Sequence, residues 1–167
     1  MDRIEWFSII ARDIGNIFRF VSVATAVPLI VAVIYREWDM ILPMVTVPIV
    51  LFLLGTLLIR IPREEREAPL SAALMAVALI WLIMALVSGL PFHLGIGVPY
   101  LDGVFEAMSG WTDTGLTVMR SIDEMPHTLL FWRSLMQWLG GLGIVAFTVA
   151  MASSRWFFFS SRRRHTR

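Results

Sequence analysis

The sequence predicts an all-α membrane protein with four spans and one re-entrant half-helix, and three observations lead to this prediction. Hydrophobic residues make up 57% of the 167 residues and the mean hydropathy is +0.74, which is typical of membrane proteins. Four apolar stretches are each long enough to cross a bilayer. A fifth stretch, residues 101–117, lies between two of them but is too short, and too polar at its end, to cross.

The N-terminal region, residues 1–69, is predicted to form an interfacial segment and a transmembrane hairpin. Isoleucine and aromatic residues recur at helical spacing in residues 1–19, which favours a helix at the membrane surface. The first span is expected over about 20–35, with an earlier start at Ile17 as the alternative and a kink at Pro28, and the second over about 40–59. The charged loop that ends this hairpin must lie in water.

Residues 70–152 are predicted to form one repeat in the order span, pore helix, filter and span. The third span is expected over about 70–90, and the fourth over about 127–151. Between them, Asp102 is expected to cap a half-helix that stops near Gly110. The partially negative C-terminal end of this half-helix would point toward the middle of the membrane, where it lowers the energy of a positive ion.

The loop after the half-helix has the composition of an ion filter. It offers consecutive carbonyl and hydroxyl oxygens from Thr112, Asp113, Thr114 and Gly115. Gly115 can take backbone angles that other residues reach only at a cost. This chemistry suits a dehydrated cation, whereas the alternative interpretation is a polar loop with a tight turn.

The arginines predict the orientation of the spans. The sequence has fourteen basic residues, all of them arginine, and eleven lie inside if the N-terminus is cytoplasmic. Five of these eleven belong to the C-terminal tail, and without the tail six lie inside against three outside or within the last span. This asymmetry favours a cytoplasmic N-terminus.

Charge and composition also argue against several classes of function. The formal net charge is only +1, and basic residues cluster only at the extreme C-terminus, so we expect no nucleic-acid partner. The absence of cysteine excludes disulfides and thiolate metal sites. Three scattered histidines form no ligand cluster, so we expect no structural metal. We also expect no cofactor.

Two segments together resemble the first pore repeat of the TrkH/KtrB family of potassium transporters. They are residues 105–117, FEAMSGWTDTGLT, and residues 131–144, FWRSLMQWLGGLGI. The two preceding spans resemble the N-terminal hairpin of the TrkH branch, so the resemblance covers about residues 1–152. It implies four span, pore-helix, span repeats around one ion path, of which this sequence contains one. The sequence is therefore interpreted as an N-terminal fragment, and residues 153–167 as a basic tail that is foreign to the family and artefactual. The alternative is a genuine cytoplasmic tail that lies on an anionic leaflet.

The resemblance implies potassium uptake across the cell inner membrane, with K⁺ as the transported substrate. It further implies a homodimer of the full-length chain and a cytoplasmic nucleotide-binding regulatory subunit of the TrkA/KtrA type. The filter would consist of Thr112, Asp113, Thr114 and Gly115, with K⁺ at Thr112 and Asp113. Filter support is expected from Glu106, Arg133 and Gln137.

Asp113 departs from the family pattern, which usually has a small or hydroxyl residue at this position. Its carboxylate could point behind the filter and pair with a donor such as Arg120, or face the ion path and strengthen cation binding. The first is favoured, because a backbone-lined filter turns alternate side chains away from the ion. Selectivity for potassium over sodium is therefore left open.

Several polar or aromatic residues of the last span need an explanation. Arg133 is costly in an apolar span and needs a partner, for which Glu106, Asp113 and freed carbonyl groups are candidates. The alternative is that Arg133 reaches the outer interface. Gln137 and Trp138 are expected to be packing and hydrogen-bonding supports. Trp132, like Trp81 and Trp156, is interpreted as an interface anchor. Three glycines, Gly140, Gly141 and Gly143, favour close helix packing over a gating bend.

Two other functions are considered. A small homotetrameric cation channel could use one loop from each of four copies, but the N-terminal hairpin and the unusual filter argue against it. A membrane-embedded enzyme would need Glu106, Asp113 and His127 to converge. This is the remote alternative, because His127 lies at the interface next to Pro126.

Overall fold

The computed structural model describes residues 3–61 and 70–162, and all regular structure in these residues is helical. The α-helices are α1 (Arg3–Ala24), α2 (Pro28–Ile34), α3 (Ile41–Ile59), α4 (Leu70–Ser88), α5 (Leu90–Ile96), α6 (Tyr100–Trp111) and α7 (His127–Arg162). Short 3-10 turns lie at Trp38–Met40 and Ile122–Glu124.

Four helical stretches are long and apolar enough to cross a membrane: Ile10–Ile34, Trp38–Ile59, Ser71–Ile96 and His127–Val149. The half-helix α6 lies between the last two of them along the chain. The predicted all-α architecture with four spans and one half-helix is confirmed.

The first span begins at Ile10, earlier than both predicted starts, Ile17 and Phe20. Its helix α1 is continuous, and Ile10, Ile14 and Phe18 form a buried stripe. Because these residues pack into the core with α3, the chain does not break between a surface helix and a span. The helix is interrupted only before Pro28, which begins α2 at a position where a missing amide hydrogen costs little.

Helices α1 and α3 cross at two facing glycines. A β-carbon added to Gly55 would lie 2.7 Å from the carbonyl oxygen of Gly15, and one added to Gly15 would lie 2.8 Å from the carbonyl oxygen of Gly55. These contacts are backbone to backbone, so no side chain can rotate away. The N-terminal hairpin therefore depends on small residues at this crossing, as is common where membrane helices pack closely.

Replacing Gly55 with alanine is expected to destabilise the hairpin by about 1–3 kcal/mol, the range for an overpacked interior. The matched control is Leu53→Ala on the same helix, where the native side chain is exposed. The measurement is thermal unfolding of the detergent-solubilised protein. Equal melting temperatures for the two variants would contradict the close crossing.

The other spans lie near their predicted bounds. Helix α3 ends at Ile59, as expected, and the fourth candidate span ends at Val149, two residues before the predicted Met151. The third span extends through α5 to Ile96, so part of the predicted linker is helical. Helix α7 continues into the predicted tail, whose residues 163–167 lie outside the described residues, as do residues 62–69 of the charged loop.

Helix α6 packs between α4 and α7. A β-carbon on Gly103 of α6 would lie 2.6 Å from the carbonyl oxygen of Gly89, which follows α4. This close approach fixes the start of the half-helix against the end of the third span.

Candidate functional site

The half-helix α6 has twelve residues and is about 18 Å long at 1.5 Å per residue, so it crosses only part of a bilayer. It begins after Pro99, whose carbonyl accepts the amide hydrogens of Asp102 and Gly103. No side chain caps this end, so the prediction that Asp102 caps the helix is wrong. Asp102 instead lies in the first turn, where a negative charge interacts favourably with the helix dipole.

The chain reverses direction immediately after α6. Asp113 (φ 53°) and Gly115 (φ 74°) both have left-handed backbone angles, which cost an aspartate about 1 kcal/mol and a glycine little. The amide of Asp113 donates to Gly110 and that of Thr114 to Ser109, at 3.0 Å each. These bonds hold the first half of the loop under the end of the half-helix.

Hydroxyl groups add to this turn. The Thr112 hydroxyl donates to the Met108 carbonyl at 2.8 Å and lies 2.7 Å from the Thr114 hydroxyl. The Ser109 hydroxyl donates to the carbonyl of Leu116 at 2.7 Å. Since Ser109 lies within α6, Leu116 must already run back alongside the helix.

Glu106 anchors the returning chain. Its Oε1 accepts the Thr117 hydroxyl at 2.6 Å and the Val118 amide at 2.7 Å. Its Oε2 accepts Arg133 Nε of α7 at 3.0 Å, and the Glu106 side chain is completely buried. One carboxylate thus joins the half-helix, the returning loop and the last span.

Of the candidate partners for Arg133, the structure places Glu106 next to its guanidinium. The Arg133 side chain is 15% exposed, so the ion pair is largely shielded from solvent. Asp113 is not part of this pair. The location of Arg133 within an apolar span is explained by the buried charge that it faces.

The backbone carbonyl groups of the predicted filter accept no hydrogen bond from the described part of the chain. Within residues 3–61 and 70–162, no hydrogen bond ends on the carbonyl oxygens of Thr112, Asp113, Thr114 or Gly115. Three of these residues are exposed and Thr112 is half-buried. Because these carbonyl oxygens are not used within the described residues, they are available to bind a cation.

Asp113 points its carboxylate toward α7. A β-carbon on Gly141 would lie 3.2 Å from Asp113 Oδ2. Asp113 also lines a cavity of about 530 Å³, together with Ser134, Gln137, Trp138, Gly141, Leu142 and Val145. In the described residues, Asp113 and Arg120 form no ion pair, so the favoured pairing with Arg120 is not observed. Gln137 lines the same cavity, and among residues 3–61 and 70–162 no hydrogen bond joins it to the loop.

Two tryptophans and one serine connect the three helices behind the loop. Trp111 Nε1 donates to the Ser88 hydroxyl at 2.9 Å, and Trp132 Nε1 donates to the Ser88 carbonyl at 3.2 Å. The two indole rings meet edge to face with centroids 6.3 Å apart. Trp132 is fully buried, so its interpretation as an interface anchor is wrong.

A second hydrogen-bond network around one carboxylate, that of Glu37 at the start of α7, was not predicted. Glu37 Oε1 accepts the His127 amide at 2.8 Å, and Oε2 accepts the amide and hydroxyl of Thr128 at 2.9 and 2.6 Å. Partial burial raises the pKa of Glu37, but the hydrogen bonds from Thr128 and His127 outweigh it, and the net pKa is below its usual value. Glu37 is therefore ionised where it caps the helix.

Within the described residues, no group of three or more histidine, cysteine, aspartate or glutamate side chains is gathered as for a metal ion. The proposed enzymatic constellation is not assembled either. Glu106 bonds Thr117, Val118 and Arg133, whereas His127 bonds Glu37.

Comparisons with known proteins give a consistent assignment. The sequence model of the TrkH family, described as cation transport protein, matches residues 49–155. An uncharacterized cation transporter of Methanocaldococcus jannaschii is 34% identical over 81% of this chain and 28% of its own length. The Trk system potassium uptake protein TrkH of Vibrio parahaemolyticus is 32% identical over 87% of this chain and 30% of its own length.

The fold agrees with these sequence matches. The crystal structure of the potassium transporter TrkH from Vibrio parahaemolyticus superposes with a TM-score of 0.79 and 33% identity, covering 88% of this chain and 32% of that chain. This chain thus spans about 30% of the length of the relatives that it matches. It is a multi-pass membrane protein. The chain belongs to the TrkH family of cation transport proteins.

Proposed function

We propose that this chain forms the first pore repeat of a potassium uptake transporter in the cell inner membrane. The observation that carries the proposal is the loop of residues 112–115, which is largely exposed at the end of a half-helix and keeps its four carbonyl oxygens free. Carbonyl oxygens can replace the hydration shell of K⁺. The half-helix adds a partial negative charge at the same end.

Within this proposal, each site residue has a role. Thr112, Asp113, Thr114 and Gly115 form the selectivity filter, and K⁺ binds at Thr112 and Asp113. Glu106 and Arg133 hold the returning end of the loop through the hydrogen bonds at Thr117 and Val118. Gln137 acts from the cavity beside Asp113 rather than by a direct bond to the loop.

One loop supplies only one wall of a filter, so the ion path needs three further repeats. We propose that they follow in a longer chain, since the relatives are about three times as long as the part matched here. The N-terminus is cytoplasmic in this arrangement, in agreement with the arginine distribution. The full-length protein would be a homodimer with a cytoplasmic regulatory subunit of the TrkA/KtrA type, and it would move K⁺ without a cofactor.

The alternative is a homotetrameric channel formed by four copies of this chain. It predicts transport by the 167 residues alone, whereas the favoured proposal requires the additional repeats. The two hypotheses therefore differ in an observable result.

The experiment measures K⁺ uptake in a bacterial strain that lacks its own potassium uptake systems. One strain expresses the 167-residue chain alone. A second expresses a chimera in which residues 1–152 replace the matching N-terminal part of the Vibrio parahaemolyticus TrkH. Fluorescence-detected size exclusion confirms that each protein is inserted and assembled.

We expect K⁺ uptake in the strain that expresses the assembled chimera and none in the strain that expresses the 167-residue chain. Uptake by the 167-residue chain would favour the homotetrameric channel. An assembled chimera that takes up neither K⁺ nor Na⁺ would contradict a transport function for this repeat. Comparing the uptake rates of K⁺ and Na⁺ in the same assay also determines the ion selectivity, which the sequence does not predict because of Asp113.

A further inference from the structure

The turn between the first two spans is built to present Glu37 to the start of α7. Arg36 follows the end of α2 with a left-handed backbone angle (φ 59°). Its amide donates to Val33, and the amide of Glu37 donates to Ala32 at 2.8 Å, which is the hydrogen-bond pattern of a Schellman motif. An arginine in the left-handed conformation costs about 1 kcal/mol, so the turn is maintained at some expense.

Glu37 is then held by four hydrogen bonds to α7. Besides the amides of His127 and Thr128, it accepts the Thr128 hydroxyl at 2.6 Å, and His127 Nδ1 lies 3.0 Å from Oε1. A carboxylate can only accept, so Nδ1 carries the hydrogen. The Tyr35 ring stacks on the His127 ring at 4.0 Å with an interplanar angle of 11°.

This cluster fixes both the height and the rotation of α7. The negative charge of Glu37 also meets the positive end of the helix dipole, and Thr128 is fully buried. Arg133 follows Thr128 by five residues, or about 7.5 Å along the same helix at 1.5 Å per residue. Since α7 is continuous over both residues, a displacement of the helix at Thr128 would also displace the guanidinium that bonds Glu106.

We propose that Glu37 is a positioning residue for ion selection, which acts through α7, Arg133 and Glu106 on the filter loop. Glu37 itself touches no part of residues 112–118 by a hydrogen bond in the described structure. The N-terminal hairpin thereby becomes part of the apparatus that holds the filter. This inference rests on the proposed transport function.

The experiment compares Glu37→Gln, Glu37→Asp and the control Asp39→Asn in the chimera. Asp39 is an exposed carboxylate two residues away from Glu37 in the same turn. Uptake of K⁺ and Na⁺ is measured per assembled transporter, together with the K⁺ concentration for half-maximal uptake. Where Glu37→Gln does not assemble, Thr128→Val is measured, since it removes one donor and keeps both amides.

We expect Glu37→Gln to change the K⁺/Na⁺ uptake ratio by about two- to thirtyfold, the range in which residues without ligand contact alter coupling. Glu37→Asp should recover part of the ratio, and Asp39→Asn should match the wild type. A purely structural role would lower the amount of assembled protein and leave the ratio unchanged, and that result would overturn the inference. A wild-type chimera without uptake would instead contradict the proposed function.

Discussion

Replacing Arg133 with methionine is expected to lower K⁺ uptake by the chimera about a hundredfold or more. The Glu106 side chain is completely buried, and Arg133 is the cation that faces it at 3.0 Å. Removing one partner of a buried ion pair costs about 3–5 kcal/mol, because the remaining charge loses its compensation. The Glu106 carboxylate must then take up a proton or leave its site, and either change releases the loop that it holds at Thr117 and Val118.

A double variant separates the charge from the geometry. Glu106→Gln alone keeps only one acceptor oxygen, so its NH₂ group faces a donor in either orientation, the guanidinium of Arg133 or the amide of Val118. Combining Glu106→Gln with Arg133→Met removes this conflict and both charges. The double variant should therefore lose less stability than Arg133→Met alone, which a melting curve measures.

Arg120→Met is the matched control, since Arg120 is exposed and forms no ion pair among the described residues. It should retain wild-type uptake and melting temperature. Additive losses in the double variant, or full uptake by Arg133→Met, would show that the pair does not support the filter.

The spans could be predicted from the sequence because each depends on an average over about twenty residues, which a bilayer requires whatever the details of packing. The half-helix could be predicted for the same reason, since residues 101–117 are too short to cross. The start of the first span could not be predicted from the sequence. Arg12 and Asp13 make its beginning resemble a surface helix, and only the packing of Ile10, Ile14 and Phe18 in the core with α3 shows that it is buried.

The sequence indicated which residues need a polar partner, but it did not indicate most of the contacts that they make. An arginine in an apolar span requires a partner, and Glu106 was among the few candidates. The direction of Asp113 depends on its left-handed backbone angle, which the sequence does not reveal. The bond between Glu37 and Thr128 joins residues 91 positions apart, and no local pattern indicates such a contact.

The other large expected effect concerns Gly140. A β-carbon at this position would overlap the carbonyl oxygen of Trp111, the last residue of the half-helix, and would lie 2.7 Å from its carbonyl carbon. Both are backbone atoms, so α7 and the end of α6 must separate. Gly140→Ala is therefore expected to cost about 1–3 kcal/mol of stability through overpacking, although alanine favours a helix by about 1 kcal/mol.

Gly140→Ala should lower the K⁺ uptake of protein that is still folded and assembled. The reason is that Trp111, which the added carbon displaces, directly precedes Thr112 of the loop. A shift of about 1 Å at a site that depends on geometry can cost about a hundredfold in rate. Uptake by Gly140→Ala should fall by a similar factor, measured per assembled chimera at saturating K⁺.

Two neighbouring glycines provide a graded control on the same helix. A β-carbon on Gly141 would meet only the end of the Asp113 side chain, at 3.2 Å, which can move. For Gly143, no atom of the described residues lies within 4 Å of the added carbon. Uptake should therefore fall most for Gly140→Ala, less for Gly141→Ala and least for Gly143→Ala. The reverse order would contradict a role for the close contact between Gly140 and Trp111.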